Sequence, residues 1–126
     1  MGLMERAEFE RIAQEAFDSL PHELQRKIEN VRIVIEDVPA AETLRKSKLS
    51  SDAMLLGLYE GIPLDRRGEH YGMYPVVPDT ITLYQKNIES VVYSDAEIRQ
   101  KIREVLVHEI AHYFGMTEQE IRKAGY

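Results

Sequence analysis

The octapeptide His108-Glu109-Ile110-Ala111-His112-Tyr113-Phe114-Gly115 constrains this chain more than any other stretch. It closes a segment that reads as one long amphipathic helix. Ser94-Asp95-Ala96-Glu97 has the form of a capping box and predicts a helix from there to Phe114, roughly 20 residues and ~30 Å long. At steps of about 100° per residue, Ile98, Ile102, Val105, Leu106 and Tyr113 fall on one apolar stripe. Glu109 falls inside that stripe, with His108 and His112 on its flank. A carboxylate turned into an apolar face costs several kcal/mol unless it is paired or meets a metal site. A salt bridge to a core histidine accounts for Glu109 alone. A metal site accounts for all three polar residues, because imidazoles at i and i+4 can reach one ion and the carboxylate between them can serve as base toward the ion's water.

An ion held by two histidines takes a third protein ligand and keeps one position open. Gly115 suits the left-handed residue that ends a helix and turns the chain back. Three residues further on stands Glu118, which extends the pattern to HExxHxxGxxE. Thr117-Glu118-Gln119-Glu120 is a second capping box opening a last short helix. Glu120 is therefore accounted for as a cap, but it remains a rival third ligand. Glu118 also suits the first turn of that helix, where its charge favours the dipole, but the turn at Gly115 favours it as the ligand. His70 and Tyr71, in the Gly/Pro-rich stretch 61–78, are candidate donors to a developing oxyanion, and His70 is also a candidate metal ligand. A solvated histidine and a packing tyrosine are the commoner uses of such residues.

The rest of the chain predicts a scaffold of one domain, 1–126, of α+β class. Residues 4–19 are amphipathic, and Pro21 opens a short second helix through Glu29. Val31–Asp37 alternates and reads as a half-buried strand. Residues 39–52 read as a polar connection with room for one helical turn. Ala53–Glu60 is a continuous apolar run, predicting a second and more central strand. A long loop over 61–78 leads to a third strand, Asp79–Gln85, while 87–93 carries no clear pattern. The expected architecture is a small mixed sheet of about three strands packed against the histidine-bearing helix, with helices before it and a short one after.

Composition narrows the function. There is no cysteine, which removes disulfides, thiolate metal sites and a cysteine nucleophile. The net charge of −6 argues against a nucleic-acid binder, and no apolar run approaches a membrane span. MGLMERAEFERIA carries acidic residues and no apolar core, unlike a secretory signal. The expectation is a cytoplasmic protein, with a monomer the simplest state.

Three segments, LLGLYEGIPL (55–64), PDTITLYQKNIE (78–89) and VLVHEIAHYFG (105–115), carry a resemblance to the minimal zincin-like metallopeptidases, small bacterial proteins. The resemblance covers most of the chain. It implies a stripped zincin fold, a Zn²⁺ cofactor and a peptide or protein substrate. The family's motif has Asp where Glu118 stands here, one methylene longer. The resemblance also implies that Thr80–Tyr84 is the upper edge of the cleft, with Thr80, Thr82 and Tyr84 along the substrate. No Met-turn of the metzincin kind is present, and the cysteine ligand of peptide deformylases is missing. Two functions follow as expectations: a zinc metallopeptidase with Glu109 as general base, or a metal-stabilised peptide-binding module with little hydrolysis.

Overall fold

The computed structural model describes residues 4–46, 54–73 and 77–125. The predicted strand start at Ala53 and the connection over 47–52 lie outside them. The described elements are α1 (Arg6–Asp18), α2 (His22–Arg26), β1 (Val31–Glu36), α3 (Ala41–Lys46), β2 (Gly57–Glu60), β3 (Asp79–Tyr84), α4 (Gln85–Ser90), α5 (Asp95–Tyr113) and α6 (Glu118–Lys123), with a 3-10 turn at Leu64–Arg66. This is the α+β architecture read from the sequence. Two differences lie beside β3. The strand ends at Tyr84 rather than Gln85, and the unpatterned stretch after it forms a helix, α4, which begins directly at Gln85. Buried Gln85 and Glu89 then hold the incoming N-terminal segment: the Gln85 amide donates to the Met4 carbonyl at 2.7 Å, and the Met4 N–H donates to Glu89 at 3.0 Å.

β1 and β3 run parallel, in register from Val31↔Asp79 to Glu36↔Tyr84. β2 lies antiparallel on the other side of β3, from Gly57↔Leu83 to Glu60↔Thr80. The strand order is β1-β3-β2. This corrects the sequence reading, which makes the run 53–60 central and Thr80–Tyr84 an edge. The apolar run is rich because α5 covers β2, and a helix can bury a strand as well as flanking strands can. Thr80, Thr82 and Tyr84 belong instead to the middle of the sheet. Thr82 is 5% exposed and Tyr84 2%. The main chain of Thr80–Leu83 has neighbours on both sides, so no peptide can add to β3 as a further strand.

The helix α5 is built as its pattern predicts. The Ser94 hydroxyl accepts the Glu97 N–H at 3.3 Å, satisfying one of the unpaired donors of the first turn. Ile98, Ile102 and Leu106 are fully enclosed, each contributing roughly 2 kcal/mol by burial. They meet Phe9, Ile12 and Ala13 of α1 together with Ile81 and Leu83 of β3 in one core. At the far end of α5 the buried Tyr113 hydroxyl donates to the Lys27 carbonyl at 3.1 Å and accepts the Glu29 N–H at 2.9 Å. The link between α2 and β1 is thereby tied to the end of the histidine-bearing helix.

The stretch 61–73 is anchored from inside. Arg67 donates to the Ile62 carbonyl, to the Glu29 carbonyl and to the carboxylate of Asp79, at 3.0, 3.0 and 2.8 Å. Both side chains of the ion pair are almost fully buried, at 5% and 2% exposure. The Tyr59 hydroxyl also donates to Asp79, and Gly61 lies so close that a Cβ there would overlap the same carboxylate. Burial and this hydrogen bond to Asp79 hold the Tyr59 phenol well above its ordinary range.

Candidate metal centre

Near its C-terminus α5 presents His108 and His112 one turn apart, with ring centroids 5.2 Å from each other. Their side chains are 22% and 27% exposed, at the border between core and solvent. The helix stops at Gly115, whose φ of +94° is left-handed and favours glycine. There is no room for a side chain either, since a Cβ would fall 2.2 Å from Asp65 Oδ2. The turn is followed at once by α6, whose capping box is complete. Thr117 accepts the Glu120 N–H, and the Glu120 carboxylate accepts the Thr117 N–H at 2.8 Å. Glu120 is thus turned to the cap. Glu118 is turned to the histidines.

The geometry of that last contact is specific. Glu118 Oε1 lies 3.0 Å from His108 Nε2 and 3.1 Å from His112 Nε2. One donor atom from each of the three residues falls within 4.8 Å of the others. Ligand atoms around a tetrahedral zinc are roughly 3.3 Å apart, so the trio fits a single ion without rearranging its backbone. The chemistry also fits, two neutral imidazoles and a carboxylate being a zinc donor set. His112 Nδ1 lies 3.1 Å from the Met116 carbonyl. A proton on Nδ1 donates there and leaves Nε2 free to ligate, the usual supporting contact of a metal-binding histidine. Burial works against ionisation of Glu118. The hydrogen bonds and charges of His108 and His112 outweigh it and keep the carboxyl below its ordinary range.

Glu109 lies in the wall of the same cleft, close enough to both histidines to feel their charge, and is 7% exposed. Its pKa is raised: burial is the largest cause, and the nearby His112 and His108 offset it only in part. The main-chain N–H of Tyr59, on β2, donates to its carboxylate. Gly57 makes this approach possible. A Cβ there would come within 2.6 Å of Val105 and 3.4 Å of Glu109 Cγ. The glycine interrupting LLGLYE was the sequence signal for such a close approach, a reading the apolar run around it obscured.

β2 and α5 flank an open cleft of about 900 Å³, with His108, Glu109, His112 and Glu118 in its wall. The Tyr84 N–H donates to the Leu56 carbonyl. Antiparallel pairing alternates, so Leu58 and Glu60 also turn their main-chain groups to β3, while Gly57 and Tyr59 turn theirs to the cleft. Among the described residues, the open edge beside the histidines therefore belongs to β2. His70 and Tyr71 are placed elsewhere, and neither lines the cleft. His70 Nδ1 lies 3.3 Å from the Met73 sulfur on an exposed turn. The Tyr71 hydroxyl accepts from Asn30, and its ring lies under the Arg67 guanidinium.

This site and fold have relatives. Residues 28–126 match the family described as zincin-like metallopeptidase, and the chain belongs to that family. A solved structure described as a conserved hypothetical protein from Thermo thermophilus superposes with a TM-score of 0.58. It shares 16% identity, with 88% of this chain and 94% of that one covered, and it supports the fold. No curated protein matches the sequence. Among the described residues, no helix is long and apolar enough to cross a membrane.

Proposed function

We propose that this protein is a zinc-dependent metallopeptidase whose ligands are His108, His112 and Glu118 and whose general base is Glu109. The observation that carries the reading is the shared position of Glu118 Oε1 between the two Nε2 atoms, with Glu109 buried directly beside them. Zinc bound there supplies a Lewis acid for the scissile carbonyl and lowers the pKa of its water. Glu109 supplies the proton transfers. Its buried carboxylate binds a proton more strongly than an exposed one, which suits it to take a proton from water and return it to the leaving amine. The Tyr59 N–H orients the carboxylate during both steps.

The substrate in this reading is an extended peptide lying along β2 rather than β3. Gly57 offers both of its main-chain groups and Tyr59 its carbonyl, so two or three backbone hydrogen bonds are available. Pairing of this kind reads little of the side chains.

Elemental analysis of the purified protein tests the ligands, and a diverse peptide library tests the chemistry. Near-stoichiometric zinc is expected, lost in His112→Ala. Glu109→Gln is expected to keep zinc and lose cleavage. Zinc retained by His112→Ala would overturn the ligand set. A zinc-loaded protein that cleaves no peptide would favour the binding-module reading.

A further inference from the structure

Among the described residues, three cations border the cleft: Lys101, Arg122 and Arg66. Two of them are occupied. Lys101 pairs with Glu104 at 3.0 Å, and Arg122 with Glu118 at 3.3 Å. The exposed Arg66 has no acidic partner among the described residues. Its main chain is nevertheless held in place. It ends the 3-10 turn Leu64–Arg66, and both of its neighbours are pinned. Asp65 packs against the Cα of Gly115, while Arg67 is locked on Asp79 and on the Ile62 and Glu29 carbonyls. A free guanidinium is thus presented to the cleft from a braced turn, in a chain of net charge −6.

Its place along the cleft can be read as well. Gly57 lies against Val105 and Glu109, and the Tyr59 ring meets the Tyr113 ring at 6.2 Å. β2 therefore runs in the same direction as α5, and Arg66 stands past the C-terminal end of β2, at the Gly115 end. A peptide lying antiparallel to β2 brings its N-terminal side there. A peptide lying parallel brings its C-terminal side.

We propose that Arg66 is a specificity-determining residue that pairs with a carboxylate of the bound peptide. The inference rests on the peptide-binding reading of the cleft. The planar guanidinium matches a carboxylate in a two-pronged pair, the strongest polar contact such an open site offers. Two sources supply that group: an acidic side chain N-terminal to the scissile bond in the antiparallel case, or a free chain terminus in the parallel case.

Binding of labelled peptides to zinc-loaded Glu109→Gln, which stops turnover, separates the cases. One peptide carries Glu and an amidated terminus, a second carries Gln and an amidated terminus, and a third carries Gln and a free terminus. The first or the third is expected to bind about five- to tenfold tighter than the second, the advantage shrinking as salt rises. Adding Arg66→Ala should remove the advantage, Arg66→Lys should keep part of it, and Arg66→Glu should transfer it to a Lys-containing peptide. Equal binding of all three peptides, or an advantage that survives Arg66→Glu, overturns the inference. If the advantage follows Arg66 but the wild-type protein cleaves none of these peptides, the peptidase reading fails and the inference stands.

Discussion

Gly57 and Val105 sit so close that a single methyl group on the glycine would come within 2.6 Å of Val105 Cγ1. The contact sets the distance between the open strand β2 and the helix that carries the histidines. The Tyr59 N–H reaches Glu109 only because that distance is short.

Gly57→Ala is therefore expected to lift β2 from α5. Val105 is β-branched and cannot rotate away cheaply, and the Thr82 carbonyl closes the other side at 3.2 Å. Overpacking of this kind costs about 1–3 kcal/mol. If Glu109 acts as proposed, peptide turnover should fall further than folded fraction, because Glu109 loses its main-chain donor. Val105→Ala in the same chain should restore part of both. Urea unfolding and turnover on the four-variant cycle measure this, and additive effects would show that the contact does not couple the two elements.

Glu118→Ala should weaken zinc binding by about tenfold or more, read by competition with a chromogenic chelator. Glu120→Ala should leave zinc affinity alone, since that carboxylate closes the Thr117 cap. The reverse pattern would move the ligand role to Glu120.

The pair Arg67–Asp79 is almost wholly buried. Removing one partner strands a charge in the interior, so Arg67→Met or Asp79→Asn alone should cost about 3 kcal/mol or more. Arg67→Met with Asp79→Asn should cost clearly less than the sum, as the remaining groups are neutral. Chemical denaturation decides it. Additivity would mean that the ion pair is not the main interaction of either residue.

Alkaline pH should destabilise the fold through Tyr59 and Tyr84. Burial, with nearby Glu36, Glu60 and Glu109 behind it, pushes the Tyr84 phenol up to about 12. Burial and the hydrogen bond to Asp79 raise Tyr59 further. Unfolded tyrosine ionises near pH 10. The folded state keeps its protons above that value, so the contribution is complete below about pH 10 and is lost as pH rises toward and past 12. Tyrosinate absorbance should show a late-titrating fraction of the seven tyrosines, reduced in Tyr84→Phe. Titration of all seven near pH 10 in the folded protein would contradict the burial of Tyr84 and the hydrogen bond of Tyr59 to Asp79.

The helix α5, its Ser94 start, its Gly115 stop and the place of Glu109 within the apolar stripe were determined by the sequence alone. Each depends on residues within a few positions of one another, and helical periodicity exposes such relations directly. The approach of Glu118 to His108 and His112 was legible for the same reason, since it lies one turn beyond a glycine whose conformation is almost dictated. The class of the fold also followed from local pattern. The order of the strands did not. Whether β2 or β3 forms the edge depends on pairing across tens of residues, and an apolar strand looks alike whether a sheet or a helix covers it. His70 and Tyr71 stand in a loop long enough to reach the histidine pair, yet Arg67 binds that loop to Asp79 and Glu29 and carries both residues away. Only tertiary structure decides such a matter, because burying a charge is favourable only once its distant partner is in place.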